Sequence, residues 1–200
     1  KDWTSIYNGT STASQTVNYT VPVGSNTNRV LVIAIATSRT DNGPRTVSLA
    51  YGGQEIYGVQ SDMLGNEKQH TQLYFINEAG LDAATNSNLV FSVSGGTTIL
   101  TTVFAAVFDG VDQETPATHS KFFGNNNTSN PTFGPQPLNI NAYDQAVIVV
   151  SSLRMNSTNP RTIEYATDWT MAAEQSLSGT NSVTNGVANR SVPTINTTDF

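Results

Sequence analysis

The 200-residue chain contains no cysteine. That absence excludes a disulfide framework, a thiolate zinc site and a thiol nucleophile together. Charge is scarce as well, with Asp, Glu, Lys and Arg making up 12% of residues, well below the share usual in globular proteins. Lysine occurs only at Lys1, Lys68 and Lys121, and histidine only at His70 and His119. Nine basic residues against fifteen acidic ones leave a net charge of −6. That is the wrong sign for binding a phosphate backbone, so nucleic acid is not an expected partner. No apolar run approaches the roughly 18 residues of a membrane-spanning helix, and membrane insertion is not expected. There is no G-x-S-x-G elbow and no pair of histidines at metal-ligand spacing.

Ser, Thr and Asn together supply about a third of the chain, a bias toward turns and strands over helices. With so little lysine, the surface is kept soluble by neutral hydroxyls and amides, which suits a secreted or cell-surface protein. Asn-x-Ser/Thr triplets stand at Asn8, Asn18, Asn126, Asn127, Asn156, Asn189 and Asn196. They are candidate glycan acceptors on exposed loops, although a chain of this composition also produces such triplets by chance.

Hydrophobic periodicity indicates strands almost throughout. Val17, Tyr19, Val21 and Val23 alternate with polar residues and Pro22, the pattern of a half-buried strand near an edge. Val30 to Ala36 is a continuous run rich in β-branched residues, which reads as a central strand covered on both faces. Further strands are expected at 46–51, 71–76, 89–93, 98–108 and, as another central strand, 146–153. Weaker ones are expected near Ile6, 138–140, 162–165 and 187–195. The one helix-like stretch is Trp169 to Leu177. Residues 122–137 read as a surface loop within one domain spanning 1–200. Many short strands between Gly, Asn and Pro turns imply an all-β fold, a single sandwich of jelly-roll type with about nine or ten strands. The segment from Asp2 to Ser14 has few apolar anchors. Within residues 1–14 the strand is therefore either an edge of its own sheet or one exchanged with a neighbouring subunit.

Four segments carry a resemblance. They are Val21-Pro22-Val23-Gly24-Ser25 leading into Arg29-Val30-Leu31-Val32; Leu49-Ala50-Tyr51-Gly52-Gly53-Gln54; Leu73 to Glu78 (LYFINE); and Ala105 to Pro116 (AAVFDGVDQETP). In this order they resemble a jelly-roll-type β-sandwich module of secreted and cell-surface prokaryotic proteins, over roughly residues 15–155. The resemblance implies display outside the cell, in adhesins, surface proteins or appendages of polysaccharide-active enzymes. It supplies no catalytic residues.

Three kinds of chemistry remain to be placed. A glycosidase needs two facing carboxyl groups, and the acids Glu55, Glu67, Glu78, Glu164 and Glu174 form no local motif. Calcium takes several oxygen ligands from flexible loops, and Asp109, Asp112 and Glu114 put three acids within six residues at the end of a strand. The plainer alternative is an aspartate that organises its own turn. Sugar binding uses exposed aromatic faces beside polar side chains, which points to Trp169 with Asp168, and to Tyr57 near Gln54 and Gln60. The expected function is a non-catalytic extracellular structural or adhesive subunit that polymerises head to tail by strand addition or binds other surface proteins. A carbohydrate-binding module, with glycans as partners, is the alternative.

Overall fold

The structure is a computed structural model that describes residues 2–10, 13–22, 27–42, 45–56, 58–64, 68–117, 138–140, 144–191 and 196–198. The chain runs through β1 (Thr4–Gly9), β2 (Gln15–Asn18), β3 (Val30–Arg39), β4 (Thr46–Tyr51) and β5 (Gln54–Ile56). It continues through β6 (Gly58–Leu64), β7 (Gln69–Ile76), a short helix α1 (Glu78–Asp82), β8 (Asn88–Ser94) and β9 (Thr98–Phe108). The remainder holds β10 (Leu138–Ile140), β11 (Gln145–Arg154), β12 (Thr170–Leu177), β13 (Ser182–Ser191) and β14 (Asn196–Thr198). The fold is all-β, as expected, but these fourteen strands exceed the nine or ten anticipated. Strands as short as β5 and β14, or as polar as β6, show too little alternation to be seen in sequence.

The pairings identify the topology. β1 pairs β9, β2 pairs β8, β3 pairs β7 and β4 pairs β5, all antiparallel. This is one long hairpin, β1–β2–β3–β4 returning as β5–β7–β8–β9, rolled so that successive members fall alternately into two sheets. The sheets are β1-β9-β3-β7-β6 and β2-β8-β4-β5, the order of a jelly roll with β6 added at one edge. β1 is thus an edge strand of its own sheet in this chain.

The strand β3 is buried along its whole length, as its apolar run implies. Leu31, Ile33 and Ile35 point into one core with Leu49, Tyr51, Leu89, Phe91 and Val93 of the four-stranded sheet. Val30, Val32 and Ala34 point the other way, into a second core with Phe104, Phe108 and Val187. The cover on that second face is a third sheet, β11-β13-β12, absent from the two-sheet sandwich expected from sequence. Polar contacts fasten it: Asn185 Nδ2 donates to the Ala36 carbonyl at 3.3 Å and to Thr102 Oγ1 at 3.1 Å, and Gln69 Nε2 donates to the Ser151 carbonyl at 2.6 Å. These bonds satisfy amide N–H groups that burial between two sheets would otherwise leave unpaired.

Residues 145–191 also bring three corrections. β11 is an edge strand, and β13 holds the centre of its sheet. The stretch read as helix-like is strand β12: its Met, Ala, Glu, Gln and Leu favour helix locally, but the exposed edge of β13 offers a full ladder of backbone partners, and tertiary pairing overrides propensity. Residues 162–165 form no strand. They belong to an irregular segment over the outer face of β13, where Ser182 Oγ donates to the Asn159 carbonyl at 2.9 Å and the Tyr165 ring lies over Gly186. The small helix α1 is capped by Asn77, whose side chain accepts from the Gly80 N–H.

The third layer makes a direct prediction. Ala34 is fully buried between the sheets, whereas Ser48 lies exposed on the outer face of the four-stranded sheet. Ala34→Glu is expected to cost at least about 4 kcal/mol, because the charge has no partner there. Ser48→Glu is expected to cost less than about 1 kcal/mol. Urea unfolding of both variants checks this; equal tolerance would mean that no third layer covers β3.

Candidate functional site

The described residues of the four motif segments converge at the end of the sandwich where β3 begins. Arg29 stands just before β3 and Glu78 opens α1. Arg29 Nε donates to Glu78 Oε1 at 2.8 Å, its backbone N–H donates to Glu78 Oε2 at 2.6 Å, and its Nη2 also meets Oε1. The pair is part-buried, with side chains 18% and 24% exposed. The Arg29 hydrogen bonds are the main cause that holds the Glu78 carboxyl below its ordinary value. Gln113, from the GVDQ segment, accepts from the Glu78 N–H at 2.7 Å and donates to the Val111 carbonyl at 2.9 Å. Asn77 Nδ2 donates to the Gln113 carbonyl at 3.3 Å. Gln54, from the YGGQ turn, donates to the Gly80 carbonyl at 2.9 Å. Gly52, with φ +61°, lies so close to Ala84 that a Cβ there would overlap it, which is why this turn needs glycine. The motif residues therefore latch the loops of one sandwich end together.

Beside this latch is an open cleft of about 360 Å³. It lies where β7 passes the start of β6, with Gly58 opposite Tyr74 and β5 close to the end of β7. Phe75, Ile56 and Pro116 line it with apolar surface, and Gln54, Glu55 and Asn77 with polar groups. Sequence reading had noted Gln54, Glu55 and the Phe75-containing motif without linking them. Their shared location was hinted at only by the co-occurrence of the motifs.

At the opposite end of β3 a second charged cluster is structural. Arg39 and Arg45 are buried, 1% and 5% exposed, and both donate to the Gly95 carbonyl, at 3.0 Å from Arg39 Nη1 and from Arg45 Nη2. Burial, reinforced by the neighbouring Arg39 charge, lowers Arg45 to about 10. Asp41 lies 3.6 Å from Arg39 and accepts from the Thr97 N–H at 3.0 Å.

The residues proposed from sequence fare unevenly. Asp112 Oδ1 accepts from the N–H groups of Glu114 at 2.8 Å and Thr115 at 3.0 Å, so it organises its own turn. Those bonds lower its carboxyl below the usual range. Among the described residues no three Asp, Glu or His side chains gather as metal ligands, and Asp109, Asp112 and Glu114 form no such group. Asp168 forms an ion pair with Arg190 at 2.9 Å beside the half-buried Trp169, whose backbone N–H donates to the Ala166 carbonyl. Tyr57, Asn126, Asn127, His119 and the 122–137 loop lie outside the described residues. Of the sequons, Asn8, Asn18 and Asn156 are exposed, and nothing is described of the Asn196 side chain. Asn189 is a correction: at 9% exposure within β13 it is closed to glycan attachment, because that strand is covered on both faces. His70 lies buried in β7. Of the acids pooled for hydrolysis, Glu78 is held in the latch, and burial raises the Glu174 carboxyl on β12.

The chain matches no protein-family model, no curated protein and no solved structure.

Because the Glu78 carboxyl sits below its ordinary value of 4.5, the latch contributes fully above that pH and weakens as pH falls through the lower value of the folded state. Glu78→Gln is expected to lower the melting temperature at neutral pH. The difference from the unaltered chain should shrink steadily in acid. Calorimetry across that range checks it; a constant difference would mean the ion pair does not stabilise the fold.

Proposed function

We propose that this chain is a non-catalytic extracellular structural or adhesive subunit that joins copies of itself through its first strand. The observation that carries this reading is the seat of β1. Trp3 buries its ring in the core beneath the third sheet, edge-on to Phe108 at 6.1 Å. Tyr7 packs against the other core, edge-on to Phe91 at 4.9 Å. The six-residue strand and the tryptophan just before it thus plug both cores, while Asn8 bridges two sheets: Thr102 Oγ1 donates to its Oδ1 at 3.0 Å and its Nδ2 donates to Gln175 Oε1 at 3.3 Å. The anchors that sequence reading undervalued are these aromatic rings.

Among the described residues the strands that β1 packs against, β9 and β12, lie far along the chain, so an identical strand from a second copy would meet the same groups. The connection from β1 to β2 is built of Thr10, Ser11, Thr12, Ala13 and Ser14, small residues that supply no bulky anchor to hold donor and acceptor in one chain. Main-chain pairing with β9 would give affinity, and Trp3 and Tyr7 would set register. Donor strand and acceptor groove are different surfaces, so such contacts extend head to tail into open assemblies. The neutral outer face formed by Thr16, Asn18, Ser48 and Ser94 suits a surface exposed outside the cell.

Because the chain has no cysteine, exchange can be trapped. Asn8→Cys in one chain and Thr102→Cys in another replace two side chains that already touch. Co-assembly of the two under oxidising conditions is expected to give mixed disulfide dimers, and electron microscopy of the unaltered protein to show head-to-tail oligomers. Monomers at every concentration, with no mixed disulfide, would overturn the reading.

A further inference from the structure

We propose that Asn8 is the specificity-determining residue of the groove that receives β1. The groove admits a strand in the register that brings a carboxamide to Thr102, and the first strand of a second copy of this chain meets that demand. This rests on the exchange of β1 between copies and identifies what selects the strand. β1 pairs with β9 and packs against β12, so the groove has one wall from the jelly roll and one from the third sheet. Across it runs a chain of hydrogen bonds whose direction is fixed at the inner end. The Ala36 carbonyl can only accept, so Asn185 Nδ2 faces it at 3.3 Å. The opposite amide orientation would set Asn185 Oδ1 against the carbonyl oxygen. Asn185 Nδ2 also donates to Thr102 Oγ1 at 3.1 Å, and the Thr102 hydroxyl donates in turn to Asn8 Oδ1 at 3.0 Å. Asn8 Nδ2 then meets an acceptor, Gln175 Oε1, at 3.3 Å.

Ala36, Thr102 and Asn185 are fully buried, while Asn8 stands at the exposed rim. A strand with no acceptor at that place leaves the Thr102 hydroxyl buried with its proton unpaired, which costs more than the net gain from one hydrogen bond. Trp3 and Tyr7 supply apolar contact, and such contact is non-directional. The hydrogen-bond chain is directional, so it decides the register that the rings leave loose. A slip of two residues keeps each side chain on its own face of the sheet. It puts Ile6 or Thr10 where Asn8 stands and moves Trp3 roughly 7 Å from its seat beside Phe108. Ile6 offers Thr102 no acceptor. Gln175 and Asn185 lie opposite each other on β12 and β13, so the third sheet takes part in choosing the strand.

The test is a competition between full-length donors. Thr4 lies opposite Ala105, so a Thr4→Cys donor and an Ala105→Cys acceptor form a mixed disulfide when β1 docks across copies, with Asn8 and Thr102 left free to vary. Equal amounts of two such donors, one of them also carrying Asn8→Leu, are told apart by an isotope label. They are offered to the acceptor under oxidising conditions and the products counted by mass spectrometry. Leucine fills the place of the carboxamide and keeps water out without supplying an acceptor. The Asn8 donor is expected to exceed the Asn8→Leu donor by about tenfold. On an acceptor that also carries Thr102→Val, and so has no hydroxyl to satisfy, the excess is expected to vanish, whereas a general folding defect of the Asn8→Leu donor would persist there. Equal yields on the Thr102 acceptor, or an excess that Thr102→Val leaves unchanged, would overturn the selection and leave strand exchange standing. No mixed disulfide from any donor would overturn strand exchange itself and the selection with it.

Discussion

Two-sided burial of β3 is the constraint on which the rest of this structure depends. A strand with Leu31, Ile33 and Ile35 on one face and Val30, Val32 and Ala34 on the other cannot rest on the surface of a two-layer sandwich. Each such side chain contributes about 1.5–3 kcal/mol for Val, Leu or Ile when removed from water, so both faces demand a cover. The jelly roll provides one cover with its four-stranded sheet. The other has to come from outside the roll, and β11, β12 and β13 supply it. β9 beside β3 shows the same division, with Val103 and Ala105 on one side and Phe104, Ala106 and Phe108 on the other.

The ends of β3 are then where the architecture is fastened. At its start, Arg29, Glu78, Asn77, Gln113 and Gln54 tie the turn after β4, the helix α1 and the loop after β9 into one network. At its end, Arg39 and Arg45 draw the β8–β9 turn inward through the Gly95 carbonyl. The first network fixes the loops around the end of β7 and orients the polar groups of the cleft there. Motif residues that look chemical in sequence act first as structure.

Much of this was legible in the sequence. The strands β3, β4, β7, β8 and β9 follow from period and β-branched content, and the central place of β3 from an apolar run with no polar interruption. Pairing information was not legible: β6 is a polar edge strand recognisable only beside β7, and β12 has a helical composition. The acids at 109, 112 and 114 look alike as letters. Only the backbone geometry shows Asp112 turned onto its own loop rather than toward its neighbours. The cleft was invisible for a similar reason, since Gln54, Phe75 and Pro116 come from three separate segments.

The amino-acid sequence by itself determined the all-β class, the neutral Ser, Thr and Asn coat, and the absence of thiol chemistry. These follow from composition and from periodicities that extend over a few residues. The tertiary structure alone decided the third sheet, the strand state of 170–177, the burial of Asn189 and the meeting of the motif side chains. Those outcomes rest on contacts between distant residues, as when Asn185 reaches the Ala36 carbonyl across a separation of 149 positions. Local preference cannot encode such a contact, because its free energy exists only once both partners have been brought out of water together.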